Sequence, residues 1–273
     1  MASPSTGTEQ LQLALHDRVA IITLNRPEAR NALSDELSAA MRKAIAWAAQ
    51  SQEVGALLLT GAGKAFCAGG DVKAMGQRSE AAEAKPSVEQ QFQDMRARHH
   101  EIAGALRKLS KPSIAALPGA AAGAGMAIAL ACDLRMAASS AFLSTAYARI
   151  GLSGDYGVAW LLSRVVGPGR ARELMLTAQR TTAAQALEIG LVNRVVQDQE
   201  LSAASLQWAR ELANGPQIAY AYMKANLDEA LSIDHATAID READRLLKAR
   251  TTADHKEAVQ AFAQKREPNF TGK

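Results

Sequence analysis

Gly119-Ala120-Ala121-Ala122-Gly123-Ala124-Gly125-Met126 is the stretch on which the reading of this chain turns. Before it stands the apolar run Ser113-Ile114-Ala115-Ala116-Leu117, and after it residues 127–130 continue apolar. A buried strand, a loop of small residues and a helix fit that order. Small residues let another group approach the backbone closely, and the first turn of a helix offers N–H groups with no partner inside the helix. Ala65-Phe66-Cys67-Ala68-Gly69-Gly70-Asp71 is a second stretch of this kind, and it too follows a strand-like run, residues 56–60. One such loop alone reads as tight helix–strand packing. Two that converge would make an oxyanion hole of backbone donors. Neither continues into Gly-Lys-Ser/Thr, so neither is a Walker-type phosphate loop.

Outward from these loops, short strands alternate with helices. Residues 19–24 read as a strand broken by Asn25-Arg26-Pro27. Ser34 then caps a helix with Asp35 and Glu36 in its first turn and an apolar stripe of Leu37, Met41, Ile45 and Ala48. The continuous apolar run at 56–60 suits a strand covered on both faces, and residues 61–70 read as a turn-rich loop. Residues 76–93 are polar and rich in Ala, Glu and Lys, and read as a mobile excursion. A helix follows, ending near Leu109, with Met95, Ile102, Leu106 and Leu109 on its apolar stripe. That stripe includes His99 and leaves His100 pointing away. Further strands are expected at 134–137, 142–144 and 191–196, and a helix at 156–166. After Leu201 the strand signal stops, helices dominate with a break at Gly215-Pro216, and 265–273 read as a polar tail. The pattern predicts a mixed α/β core over 1–200 and a helical region over 201–273.

Composition narrows the function classes. With 48% hydrophobic residues in 273, the chain can bury a large core. Its 31 basic and 28 acidic residues are interspersed, so nothing marks the clustered basic face that nucleic acid requires. Cys67 and Cys132 have no metal-ligand spacing and read as buried free thiols in a reducing compartment. Residues 1–10 read as a frayed end without signal-peptide character. Residues 113–134 are apolar enough to suggest a membrane span, but Pro118 and three glycines would leave backbone groups unsatisfied in lipid. A cytoplasmic protein without a membrane or nucleic-acid partner is expected.

Taken together, the motifs resemble the enoyl-CoA hydratase/isomerase (crotonase) family over nearly the whole chain. The resemblance rests on Asn25-Arg26-Pro27-Glu28 with Asn31-Ala32-Leu33, on Phe66-Cys67-Ala68-Gly69-Gly70-Asp71, and on Lys111-Pro112-Ser113-Ile114-Ala115-Ala116. It continues through Ala122-Gly123-Ala124-Gly125, Cys132-Asp133, Glu173-Leu174-Met175-Leu176-Thr177 and Gly190-Leu191-Val192-Asn193. It implies an α/β spiral of ββα units with a helical C-terminal trimerisation region, assembled as a homo-trimer or hexamer. It also implies an acyl-CoA substrate with coenzyme A as part of it, no metal and no permanently bound cofactor. The backbone N–H groups of Gly70 and Ala124 would hold the thioester oxygen, although Ala124 stands where many members have Gly. The coenzyme A adenine would lie near Ala68, Gly69 and Val72, with the phosphates near Arg30 and Lys265.

The resemblance also separates reactions. Family hydratases use two glutamates, and the corresponding positions here are Ala127 and Tyr147. Asp155 instead falls where double-bond isomerases acting on ring-derived or unsaturated acyl-CoAs carry an Asp, and one base suffices to move a proton between two carbons. The ending Phe270-Thr271-Gly272-Lys273 is similar to the same branch. Asp155 also reads as a helix N-cap, a role not exclusive of catalysis. Three alternatives stay open. The first is dehalogenase-type hydrolysis with Asp155 as nucleophile and His100 as base, though Tyr147 replaces the Trp of that pattern. The second is an atypical hydration in which Tyr147 and Tyr156 position water. The third is a non-catalytic acyl-CoA-binding trimer.

Overall fold

A computed structural model describes residues 5–71 and 87–273 of the chain. Strands β1 (Leu11–His16) and β2 (Val19–Leu24) form a hairpin in register Leu11↔Leu24 to His16↔Val19. Its two loop residues, Asp17 and Arg18, both take positive φ (48° and 65°), as a two-residue turn matched to strand twist requires. No strand is expected from the sequence before residue 19, yet in β1 the better-covered Leu11, Leu13 and Leu15 alternate with the exposed Gln12, Ala14 and His16 as a half-buried edge strand should. The end before it is not frayed at Gln10, whose side chain donates to Glu36 (2.7 Å). Helix α1 (Asp35–Gln50) begins where expected, with Ser34 Oγ accepting from Leu37 N at 3.0 Å. Leu37, Met41, Ile45 and Ala48 are all buried, and each large side chain among them contributes about 1.5–3 kcal/mol of transfer free energy.

Three strand pairs follow: β3 (Ala56–Gly61) with β4 (Ala65–Cys67), β5 (Ser113–Leu117) with β6 (Ala120–Ala122), and β7 (Leu134–Ala138) with β8 (Phe142–Ser144). The first member of each pair joins a six-stranded sheet in the order β1-β2-β3-β5-β7-β10, which is parallel apart from β1. The second member joins a four-stranded sheet, β4-β6-β8-β9, completed by β9 (Thr181–Thr182). Each turn of the chain thus lays one strand in each sheet and returns through a helix, which is the expected spiral of ββα units. β4 and β6 lie inside the stretches read as loops. At three residues each they are too short for a periodicity to register. β10 covers only Arg194–Val196 of the strand expected at 191–196.

Between β4 and β5 runs α2 (Val88–His99), continued through a π-helical turn at His100–Gly104 into α3 (Ala105–Lys108). Ile102, Leu106 and Leu109 are buried as the stripe predicts. Met95 is not; it is 54% exposed, because α2 projects beyond the core before the π turn. The expected excursion at 76–93 falls largely outside the described residues. α4 (Ala124–Ala131) is buried throughout. α5 (Val158–Thr177) bends at Gly167, ahead of Pro168, and α6 (Ala183–Glu188) carries a Thr182/Gln185 capping box.

Four helices end the chain: α7 (Leu201–Ala213), α8 (Gln217–Glu229), α9 (His235–Arg250) and α10 (Ala253–Gln264). α7 packs on β2, β3, β5 and β7, with Ala209 and Ala213 fully buried. Lys224 of α8 is tied to the start of the sheet, donating to Asp133 Oδ2 (2.5 Å) and Lys111 O (3.0 Å). The last residues are more than a polar tail: the buried Asp254 carboxylate accepts from the N–H groups of Thr271 (2.7 Å) and Gly272 (2.9 Å). Among the described residues no helix is long and apolar enough to cross a membrane.

Candidate active site

The segment 68–71 is held by a frame that the sequence around Asn25-Arg26-Pro27 supplies. Asn31 is fully buried in a left-handed conformation (φ 57°) and donates to Ala62 O (3.0 Å) and Ala65 O (2.8 Å) while accepting from Arg26 N (2.8 Å). The Arg26 guanidinium donates to Ala32 O (2.6 Å) and to Asp71 Oδ2 (3.1 and 3.2 Å). Leu33 donates to Gly69 O (2.8 Å) and accepts from Asp71 N (3.4 Å), a parallel bridge centred on Gly70. In such a bridge the flanking residues use the groups that face Leu33, so the Gly70 N–H is turned to the opposite side.

On that opposite side lies the second loop. Gly123 N donates to Ser144 O (3.0 Å), and Gly123 takes the positive φ (53°) that the turn into α4 demands. Ala124 is the first residue of the helix and has no positive φ, so a side chain there costs the backbone nothing. Its N–H is among the helix-start donors that have no intrahelical acceptor. The two loops touch. A Cβ built on Gly69 (φ 101°) would sit 3.0 Å from Ala122 O and 3.6 Å from Ala124 N, and one on Gly125 would sit 2.2 Å from Cys67 O. Glycine at 69 and 125 is therefore a requirement of convergence.

Tyr147 and Asp155 meet beside this junction. A Cβ on Gly123 would be 3.9 Å from both Gly69 Cα and Tyr147 Cε1. The Tyr147 hydroxyl donates to Asp155 Oδ1 at 2.5 Å. Asp155 does not cap the helix as expected. The N-cap is Gly157 and the helix begins at Val158, so Asp155 contributes only its carbonyl, which accepts from Val158 N (3.0 Å). The reason lies in the turn, where Gly154, Tyr156 and Gly157 all have positive φ (128°, 49° and 76°). Those conformations leave the carboxyl to Tyr147. Burial pushes the Asp155 carboxyl above the ordinary carboxylate range, and the Tyr147 hydrogen bond opposes that rise. Burial, and then the Asp155 charge, push the Tyr147 and Tyr156 phenols up. Cys67 is free and fully buried, as expected, and burial chiefly pushes its thiol up to about 12. Ala127 is completely buried in α4.

The residues expected to hold coenzyme A divide. Arg30 is exposed in a left-handed conformation, and its carbonyl accepts from Ala68 N (3.0 Å), which puts Arg30, Ala68 and Gly69 in one neighbourhood. Lys265 ends α10, exposed and left-handed (φ 52°), and no hydrogen bond or ion pair among the described residues joins it to that neighbourhood. Val72 lies outside the described residues. Of the adjacent pair His99 and His100, His99 packs against Tyr156 with ring centroids 4.1 Å apart and planes tilted by 42°, whereas His100 is exposed. Three features are not evident from the sequence: the Tyr147–Asp155 bond, the Arg26–Asp71 pair and the His99–Tyr156 ring contact. Each joins residues whose spacing follows no helix or strand period.

A two-sheet spiral with two touching backbone loops and one carboxyl beside them defines a class of fold and site that comparison with known proteins identifies. The sequence profile of the enoyl-CoA hydratase/isomerase family matches residues 15–273. This chain belongs to that family. It is 38% identical over 257 residues to the 1,2-epoxyphenylacetyl-CoA isomerase of Escherichia coli K12, covering 93% of this chain and 95% of that one. It is 34% identical over 266 residues to the crotonyl-CoA hydratase of Syntrophomonas wolfei, covering 97% and 99%. Among solved structures, an enoyl-CoA hydratase candidate from Streptomyces coelicolor A3(2) superposes with a TM-score of 0.91 at 36% identity, covering all of this chain and 98% of that one. Enzyme activity on CoA thioesters follows from the family. Hydratase and isomerase names both occur among the relatives.

Proposed function

We propose that this enzyme isomerises an enoyl-CoA, with Asp155 as the single acid/base and the Gly70 and Ala124 N–H groups as the oxyanion donors. The observation that carries the reading is the Asp155 carboxyl, held by Tyr147 beside the contact of the two loops; the family resemblance adds that Ala127 and Tyr147 stand where hydratases carry their glutamates. The thioester oxygen accepts from both backbone donors. Asp155 takes a proton from one acyl carbon, negative charge moves onto that oxygen, and the proton returns at another carbon as the double bond shifts. Preorganised donors in a dry site stabilise such a charge without reorganising. The Tyr147 hydroxyl donates to the charged form of Asp155, which helps keep a buried carboxyl available as a base. Coenzyme A lies along Arg30, Ala68 and Gly69, with Lys265 on its phosphates. Residues 201–273 form the helical region whose outer helices assemble the chain into a trimer or hexamer.

A second reading, hydration, draws on the same Tyr147–Asp155 pair, which offers an acceptor and a hydroxyl to a water molecule. Proton exchange and product analysis separate the two. Saturated and unsaturated acyl-CoAs are incubated in heavy water with the wild type and with Asp155→Asn. The expected result is deuterium at the α- and γ-carbons in the wild type and its loss in the variant, by about 10²-fold or more. A 3-hydroxyacyl product would replace the isomerase reading with hydration. Absence of exchange with every thioester would overturn both.

A further inference from the structure

Strands β2, β3 and β5 run parallel, and the two loops of the candidate active site follow the C-terminal ends of β3 and β5. A cavity of about 490 Å³ opens at the other end of the same strands, within the size range of small-molecule sites. Its walls come from the residues that precede each strand: Arg18 before β2, Gln52 before β3, and Ser110 and Lys111 before β5. Strands of five or six residues at about 3.3 Å per residue set the two ends roughly 16–20 Å apart. The cavity is therefore no part of the site around Asp155.

Its charge is one-sided. Arg18, Lys111 and Lys273 line it, and no lining side chain is acidic. The carboxylates close to these residues are committed elsewhere. Asp17 pairs with Arg210 (2.9 Å), and Asp254 accepts from the N–H groups of Thr271 (2.7 Å) and Gly272 (2.9 Å). Arg18 sits in the hairpin turn with φ 65°, and its carbonyl, accepting from Gly55 N (2.7 Å), fixes the turn against the start of β3. Among the described residues no hydrogen bond or ion pair takes up its guanidinium. Lys111 Nζ donates to Ala48 O (2.7 Å) and Ser51 O (2.5 Å) at the end of α1. An ammonium has three donors, so one N–H is left over. Burial, and then the Arg18 charge, pull the Lys111 pKa down to about 8, as expected of two cations with no anion between them. Closing the end of α1 accounts for one cation at this place and not for three.

We propose that this cavity binds the phosphate group of a small molecule, held between Arg18 and Lys111, with the exposed Lys273 as a third cation and the Ser110 hydroxyl and Gln52 amide as neutral donors. A guanidinium offers a fork to two oxygens of one phosphate, and an ammonium meets another as a point charge. Three cations exceed what a single carboxylate neutralises, whereas a divalent anion between them removes their mutual repulsion. The inference does not depend on which reaction Asp155 performs.

Inorganic pyrophosphate is the probe, titrated calorimetrically into the full chain at fixed ionic strength, with acetate as the monoanion control. The wild type is expected to bind pyrophosphate about tenfold or more tighter than acetate. Arg18→Asn puts a residue that tolerates positive φ in the turn and is expected to weaken pyrophosphate binding by about tenfold or more. Lys111→Gln weakens it similarly, but it also touches the end of α1, so Arg18→Asn is the decisive variant. Arg30→Asn, in the region proposed for coenzyme A, leaves this binding unchanged. Binding that survives in Arg18→Asn and disappears in Arg30→Asn would place the phosphate in the coenzyme A region and overturn the proposal. So would a wild type that binds no pyrophosphate, or one that binds acetate equally well. Glycerol 3-phosphate and inorganic phosphate, compared in the same assay, distinguish the sources of the group. Tighter binding of the ester identifies an organic phosphate, tighter binding of the free ion identifies inorganic phosphate, and either sustains the site.

Discussion

Asp155 shows how one side chain acquires a chemical role from its surroundings. As a helix cap it would be an ordinary, solvated carboxylate. In the turn where its neighbours Gly154, Tyr156 and Gly157 take positive φ it is instead half-buried, and its partner is a phenol. Burial and the hydrogen bond act on its pKa in opposite directions, and burial is the larger. The base must be unprotonated to react, so activity falls as pH drops through this pKa, and the acidic limb of kcat/KM lies above the ordinary carboxylate range. Tyr147→Phe removes the one contribution that lowers the pKa. The limb is then expected at still higher pH, and activity below it falls by about tenfold, the scale of a hydrogen bond to a charged group. A pH profile of proton exchange for the two proteins checks this. A limb that moved to lower pH would mean that the phenol does not stabilise the carboxylate.

At the scale of elements, the two loops do their work only through contact with each other. Gly125 lies against the backbone of Cys67, so Gly125→Ala would bring a methyl group to 2.2 Å from Cys67 O. Backbone cannot swing aside as a side chain can. The variant is expected to lose about 1–3 kcal/mol of stability, read as a lowered midpoint in thermal or urea unfolding. Exchange activity should fall as well, because moving Cys67 moves Gly69 and Gly70. Much of this level was legible in the sequence. Ser34 announced α1, the apolar stripe announced its buried face, and the runs at 56–60 and 113–117 announced buried strands. β4 and β6 were hidden inside stretches that composition marks as loops, since three residues carry no measurable alternation. The bend of α5 at Gly167 and the π turn at His100 depend on how neighbouring segments pack.

The molecule as a whole leaves large apolar side chains on its outer helices. Leu246 and Leu247 of α9 and Phe262 of α10 are 63%, 64% and 88% exposed in a single chain. If these residues serve the proposed assembly, the wild type sediments at three or six times 28.9 kDa, and Phe262→Asp combined with Leu247→Glu shifts it towards the monomer. A wild type that sediments as a monomer would remove the assembly proposal. What the sequence by itself determined was the family, the alternation of strands and helices, and the presence of two small-residue loops, because each is written in residues that are near neighbours along the chain. Only the tertiary structure decided that Gly70 turns its N–H away from Leu33, that Asp155 pairs with Tyr147 rather than capping a helix, and that His99 meets Tyr156. Those outcomes depend on positive-φ turns and on contacts between residues distant in sequence. Side-chain direction there follows from backbone torsion and packing, which no local pattern of residue types encodes.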